Sequence, residues 1–339
     1  MTYIAEKTSV SSIMLKVLFA LLPAIAAYVL YFGPAILVSL ALATLTALAC
    51  EAGVLKLRNY PIKPFVLDGS AVVTAWLLAL SMPPLAPWWL VVTGTAFAII
   101  VAKHLYGGLG NNPFNPAMVG YAVMIISFPV QMTQWAAPEM LALHHLSFSQ
   151  ELNYIFGGLL PDGLRLDAIT SATPLDTLRT QLKQEHMLSE IRQLPIFGLL
   201  GGKGSEMIAL WYLAGGLYLW QQRIITWHVP AAFLVSLAFI ETWMHVVDAD
   251  RFVTPLFHLF TGGAMLGAFF IATDPVSGPT TPIGKLIFGA GIGLLTYLIR
   301  TWGGYPDGIA FSVLIMNICV PLIDTYTQPR VFGHKAKKK

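Results

Sequence analysis

Charge is scarce in this chain. Asp, Glu, Lys and Arg together make up 11% of its 339 residues, against roughly 25% in a soluble domain. Cysteine is scarcer still. The two present, Cys50 and Cys319, lie far apart, each inside an apolar stretch. They cannot by themselves hold an iron–sulfur cluster or a structural zinc and read as small buried hydrophobes. The sequence has no Rossmann fingerprint. Gly201-Gly-Lys-Gly204 has no strand before it and lacks the Walker spacing, so it reads as a turn. No two histidines share one helix face within an apolar run, which argues against haem. No metal site, no catalytic group, no nucleic-acid partner and no cleavable leader is expected.

What the chain has in excess is apolar length. Hydrophobic residues reach 56% and mean hydropathy is +0.68. Runs of about 17–25 apolar residues recur, each able to cross a hydrocarbon core. They are continuous rather than alternating, which selects helices over a barrel. The expected fold is all-α: a polytopic membrane protein of ten spans, at 14–32, 34–53, 69–83, 87–104, 115–131, 206–222, 228–245, 256–273, 285–300 and 307–323. The expected organisation is a first five-helix repeat over 1–131, a polar loop over 132–205, a second five-helix repeat over 206–324 and a basic tail over 325–339.

The halves echo each other in opposite orientation. Asp68-Gly-Ser-Ala opens a run ending at Pro83, as Thr261-Gly-Gly-Ala opens one ending at Pro275. Gly107-Gly108 before Pro113 and Pro116 matches Gly303-Gly304 before Pro306. Five spans is an odd number, so the second copy runs the other way through the bilayer. Inverted repeats with Gly/Pro-interrupted helices place binding sites at the breaks. With the N-terminus in the cytoplasm, most basic residues fall inside, from Lys7, Lys16, Lys56, Arg58 and Lys63 to Lys335–Lys339. Arg251 and Arg300 alone lie on short outer connections. Both termini are then cytoplasmic, and the loop 132–205 is extracytoplasmic. The terminal lysines would meet anionic lipid headgroups.

That loop contains Asp167-Ala-Ile-Thr-Ser171-Ala-Thr173-Pro-Leu-Asp176. By pattern alone, Thr173 before Pro174, with Asp176 at the third helical position, is a helix N-cap. Asn112 and Asn115 sit at a Gly/Pro break, where backbone can line a cavity. They are equally placed to cap the helix opening at Pro116. Glu51, Asp68, Glu241, Asp274, Asp307 and Asp324 lie in or near spans, where ionisable groups are costly and mark ion paths. Most lie at span ends, so solvation or Lys/Arg partners are expected. Asp274 stands out because it lies at the break of the second repeat.

Four separated blocks carry a resemblance. These are Lys103-His-Leu-Tyr-Gly-Gly-Leu-Gly-Asn-Asn-Pro-Phe-Asn-Pro-Ala-Met118, Ser171-Ala-Thr-Pro-Leu-Asp176, Phe269-Phe-Ile-Ala-Thr-Asp-Pro275, and Gly303-Gly-Tyr-Pro-Asp-Gly-Ile-Ala-Phe311 with Val320-Pro-Leu-Ile-Asp324. In this order, over nearly the whole chain, they resemble the family of the Rnf (or Rsx) complex D subunit and its homologue, the B subunit of the sodium-translocating NADH:quinone reductase. The resemblance implies FMN esterified through its phosphate to Thr173 by an extracytoplasmic flavin transferase, with Ser171 and Asp167 in the modified segment. It implies a second, non-covalent flavin (riboflavin), for which Asn112, Asn115 and Asp274 are the candidates. It further implies a bacterial inner-membrane electron carrier between ferredoxin and NAD sides, coupled to Na⁺ or H⁺ movement. The partner subunits would be RnfA, RnfB, RnfC, RnfE and RnfG. The inverted fold alone equally suits a small-solute channel, which would not need the Thr173 loop.

Overall fold

The computed structural model describes residues 9–305 and 307–329; the Lys335–Lys339 cluster lies outside them. Two long helices open the chain, α1 (Val10–Phe32) and α2 (Ala35–Leu57). Ser9 caps α1 by accepting from the Ser12 N–H at 3.2 Å. The chain reverses at Gly33, whose φ of +85° suits glycine. A short α3 (Ile62–Val66), α4 (Ser70–Ser81), α5 (Trp88–His104, π-helical from Phe97) and α6 (Pro116–Ser127) complete the first half. The polar segment adds β1 (Trp135–Ala136), α7 (Phe148–Gly157), β2 (Thr170–Ser171) and α8 (Pro174–Lys183). The second half runs α9 (Ser205–Gln221), α10 (His228–Val247), α11 (Pro255–Leu259), α12 (Ala264–Leu266, continuing as a π-turn to Ile271), α13 (Pro282–Trp302) and α14 (Ile309–Thr327).

Every predicted span appears as a helical segment. Five (α1, α2, α10, α13 and α14) are long and apolar enough to cross a membrane, and α4, α5 and α6 are shorter apolar helices. Leucines and aromatics such as Leu30, Leu45, Phe239, Trp243 and Leu322 face outward, while Glu51, Lys103, Glu241 and Arg300 are buried. That is the reverse of a water-soluble surface. The protein is a polytopic, all-α membrane protein.

The two halves correspond element by element. Helices opening at Val10, Ala35, Ile62, Ser70, Trp88 and Pro116 are matched by helices opening at Ser205, His228, Pro255, Ala264, Pro282 and Ile309, at a nearly constant spacing. Counterparts meet across the middle of the molecule, α1 on α9 and α6 on α14. The eighth span differs from expectation. Instead of running unbroken over 256–273, it stops after Leu259 and restarts at Ala264. Gly262, at φ +65°, does here what Gly69, at φ +82°, does before α4. An apolar run hid the break, but the Gly echo marked it.

Close packing rests on small residues. Gly289 and Gly293 sit one turn apart on α13, and a Cβ at 289 would stand 2.6 Å from the Val229 carbonyl oxygen of α10, so the two backbones touch. The polar segment is anchored by two small apolar clusters. Leu175, Leu178 and Ile191 pack with Phe197 and Phe257 of α11, while Ala136, Ile155 and Ile169 pack with Ala35 and Leu85. The segment therefore lies on one face of the bundle, called the loop face below. The starts of α1, α4 and α6 lie on the opposite face.

Candidate functional site

Thr173 is held from both sides in sequence. Before it, β2 pairs antiparallel with β1, setting Ser171 opposite Trp135. After it, α8 begins. The Thr173 hydroxyl accepts from the Asp176 N–H at 3.2 Å and donates to Asp176 Oδ2 at 3.0 Å, the capping geometry that the Thr-Pro-Leu-Asp pattern predicts. Arg179 stands 3.1 Å from Asp176 Oδ1 and donates to the carbonyl oxygens of Gly303 at 2.9 Å and Tyr305 at 3.0 Å. The helix start is thereby tied to the end of α13. Burial pushes the Asp176 carboxyl above its ordinary pKa; the Thr173 hydrogen bond and Arg179 oppose this, and Asp307 adds to it. Asp167 is exposed on the 3₁₀ turn Leu166–Ala168, away from this contact set.

Thr173 and Ser171 line a cleft of about 1150 Å³ that opens on the loop face. Its walls are mostly apolar and aromatic, with Tyr28, Tyr121, Trp135 and Tyr212, and Lys203 supplies a cation. Among the described residues, the buried Trp135 Nε1, Tyr212 Oη and Thr261 Oγ1 find no protein partner. Unpaired donors in a largely apolar slot are costly unless a ligand meets them. A planar heteroaromatic with ring carbonyls and nitrogens would do so. Sequence reasoning singled out Thr173 but none of these aromatics, because both halves contribute them and only tertiary packing brings them together.

A second cleft of about 830 Å³ opens on the opposite face. It gathers all three residues expected from sequence for a second ligand: Asn112, Asn115 and Asp274. Asn115 caps α6, its Oδ1 accepting from the Met118 N–H at 3.2 Å, and its Nδ2 donates to the Ile271 carbonyl at 3.2 Å in the other repeat. Asn112 takes no part in that cap; its Nδ2 donates to the Phe114 carbonyl at 3.0 Å. Asp274 closes a local turn, accepting from the Val276 N–H at 3.2 Å and the Ser277 hydroxyl at 2.7 Å. Lys103 also reaches this cleft. It is buried, with Nζ 2.7 Å from Glu51 Oε1 and 2.8 Å from Ser70 Oγ, a partner the sequence did not single out.

Of the ionisable residues expected to be solvated or paired, Glu51 is paired with Lys103, and Asp307 with Arg300 at 3.0 Å. Asp68 accepts from the Ser70 N–H at 2.7 Å at the start of α4, and Asp324 accepts from the Thr280 N–H at 3.0 Å. Glu241 is the departure: it is 1% exposed and neither carboxylate oxygen has a hydrogen-bond partner among the described residues.

The NQR2, RnfD, RnfE family model matches residues 1–333. A protein of Aliivibrio salmonicida, described as the D subunit of an ion-translocating oxidoreductase complex, is 50% identical over 337 residues, covering 97% of this chain and 96% of its own. The protein of the same description from Escherichia coli O7:K1 is 51% identical over 341 residues, covering 98% and 97%. That from Aeromonas salmonicida is 50% identical over 339 residues, covering 98% and 97%.

Proposed function

The chain belongs to the NQR2, RnfD, RnfE family, and we propose that it is the membrane-embedded flavoprotein subunit of an Rnf-type complex. In this reading it relays electrons between ferredoxin-side and NAD-side partner subunits of a bacterial inner membrane, coupled to Na⁺ or H⁺ movement. The loop face is extracytoplasmic, where a flavin transferase reaches it, and both termini are cytoplasmic.

One observation carries the reading: Thr173 lines the wall of an aromatic cleft, at the N-terminus of α8. A helix start favours a phosphate because its free N–H groups and dipole face the anion. Lys203 adds a positive charge on the same wall. Esterification would remove the hydrogen that Thr173 donates to Asp176. The Asp176 carboxylate would keep its Arg179 partner at 3.1 Å. Trp135, Tyr212 and Thr261 would orient the ring through the donors they leave free. A bound flavin supplies the redox chemistry; the protein supplies position and exclusion of water. The opposite-face cleft, with Asn112, Asn115 and Asp274, would hold riboflavin, its polar groups drawn from breaks in both repeats.

The test is in-gel fluorescence under ultraviolet light after denaturation, with the transferase co-produced. Wild type and Ser171→Ala are expected to glow and Thr173→Ala to be dark. A fluorescent Thr173→Ala band sinks the covalent assignment. Flavin released from native Thr173→Ala on denaturation is expected at one per chain and to fall in Asn115→Ala. Cysteine labelling of exposed loop positions from the cytoplasmic side alone would overturn the orientation.

A further inference from the structure

Glu241 lies on α10, one to two turns from the loop-face end. It is 1% exposed, and among the described residues both carboxylate oxygens lack a hydrogen-bond partner. An ionised carboxylate in that state, inside a membrane protein, carries a desolvation cost that an apolar surround does not offset. A proton or a cation must meet it. The nearest ionisable side chain is His258 of α11, 6% exposed, with Nδ1 3.8 Å from Glu241 Oε1 and unpartnered. Tyr297 of α13 stands with its ring 6.0 Å from the His258 ring.

Arg300, also on α13, supplies a fixed positive charge in the neighbourhood, but it is committed elsewhere. Its Nε and Nη2 grip Asp307 at 3.0 and 3.1 Å, Nη1 donates to the His258 carbonyl at 2.7 Å, and Nη2 to the Thr261 carbonyl at 3.1 Å. The guanidinium thus frames the site without neutralising Glu241. Thr261, three residues after His258, lines the loop-face cleft with its own hydroxyl unpartnered. The helix that carries His258 thus ends two residues before Thr261 on the cleft wall.

We propose that Glu241 and His258 form a binding site for one monovalent cation, a proton or a sodium ion, in the loop-face half of the membrane domain. The site is exchangeable because nothing in the protein occupies it permanently. In the proton case, the proton resides on the Glu241 carboxyl, and the His258 imidazole 3.8 Å away acts on it through its charge state rather than a direct hydrogen bond, with no change in redox state. In the sodium case, the ionised carboxylate is the ligand charge. This cation site deepens the ion-translocating reading and rests on it, not on the flavin reading.

Infrared difference spectroscopy on the purified full chain tests this without flavin or turnover. The wild type in sodium-free buffer is expected to show one carboxylic-acid C=O band that the isosteric Glu241→Gln variant lacks. The band should vanish as pH is raised. Vanishing at fixed pH when sodium replaces choline identifies sodium as a ligand; indifference to sodium identifies the proton alone. Identical wild-type and Glu241→Gln spectra throughout overturn the site, as does a band that persists under every condition. His258→Asn is the second variant and should shift the pH midpoint of the band, even should Glu241→Gln fail to fold. An unmoved midpoint removes His258 and overturns the pair. Failure here would leave Thr173 fluorescence untouched, so the two readings fall separately.

Discussion

The two halves of the molecule bury a glutamate on equivalent helices, Glu51 on α2 and Glu241 on α10, and treat it in opposite ways. Glu51 is met by the Lys103 ammonium at 2.7 Å, with His104 at 3.4 Å. Among the described residues Glu241 is met by no ion-paired Lys or Arg, because Arg300, at the corresponding end of the next long helix, turns to Asp307. The cause lies one element away. Before α4, Asp68 supplies a carboxylate that accepts from the Ser70 N–H. At the matching break before α12 the chain has Thr261, and Asp307 comes from outside to accept from the Gly263 N–H at 2.8 Å, drawing Arg300 with it. One missing carboxylate thus rewires the second repeat. The inverted arrangement then places a locked ion pair near one membrane face and an open acid near the other.

The largest effect is expected from breaking the locked half. Lys103→Met leaves Glu51 buried without its cation, and removing one partner of a buried pair costs about 3–5 kcal/mol. Thermal unfolding in detergent should show a large loss, and adding Glu51→Gln should restore most of it, a coupling that a double-mutant cycle reads directly. Glu241→Gln alone should change stability by less than about 1 kcal/mol, since no protein partner is lost. Equal losses for Glu51→Gln and Glu241→Gln would erase the contrast.

A smaller effect should come from converting the open half toward the locked one. Asp307→Asn keeps an acceptor for the Gly263 N–H but removes the carboxylate that neutralises Arg300, leaving the guanidinium, still held by the His258 and Thr261 carbonyls, with an uncompensated charge beside Glu241. Because Asp307 is partly exposed, a loss of about 2 kcal/mol is expected, within the range for hydrogen bonds to charged groups. The diagnostic change is spectroscopic: the Glu241 acid band should be lost at neutral pH, because a neighbouring cation favours the ionised form. A band that survives unchanged would mean that Arg300 does not discriminate between the halves.

Much of this architecture was legible in the sequence, for physical reasons that differ by element. Spans announce themselves through length of apolar sequence, and caps such as Thr173 and Asn115 through local chemistry that needs only neighbouring residues. The Gly echoes at Gly69 and Gly262 fixed the repeat because a left-handed backbone position constrains residue type. The cleft walls were not legible. Tyr28, Trp135 and Tyr212 come from α1, β1 and α9, and nothing local distinguishes them from aromatics facing lipid. The fate of Glu241 was likewise hidden, since it depends on which carboxylate Arg300 chooses across a break that an apolar run concealed.

The smallest and most local effect concerns a second unpaired acid, this time outside the membrane spans. Glu151 of α7 is buried against the turn at Gly33, with Glu139 nearby and its Oε2 unpartnered. Burial first, and the Glu139 charge second, push its carboxyl from 4.5 up to about 7. The folded protein therefore binds a proton that the unfolded chain releases between these two values. Its contribution to stability is full below the unfolded value and is lost as pH rises through about 7. Glu151→Gln, neutral at every pH, should flatten that part of the stability–pH profile and make the variant more stable than wild type by about 1 kcal/mol on the alkaline side. Unfolding midpoints measured on either side of neutrality check it. A wild-type slope unchanged in Glu151→Gln would show that an uncompensated buried carboxylate in this protein need not hold a proton, which would weaken the same inference at Glu241.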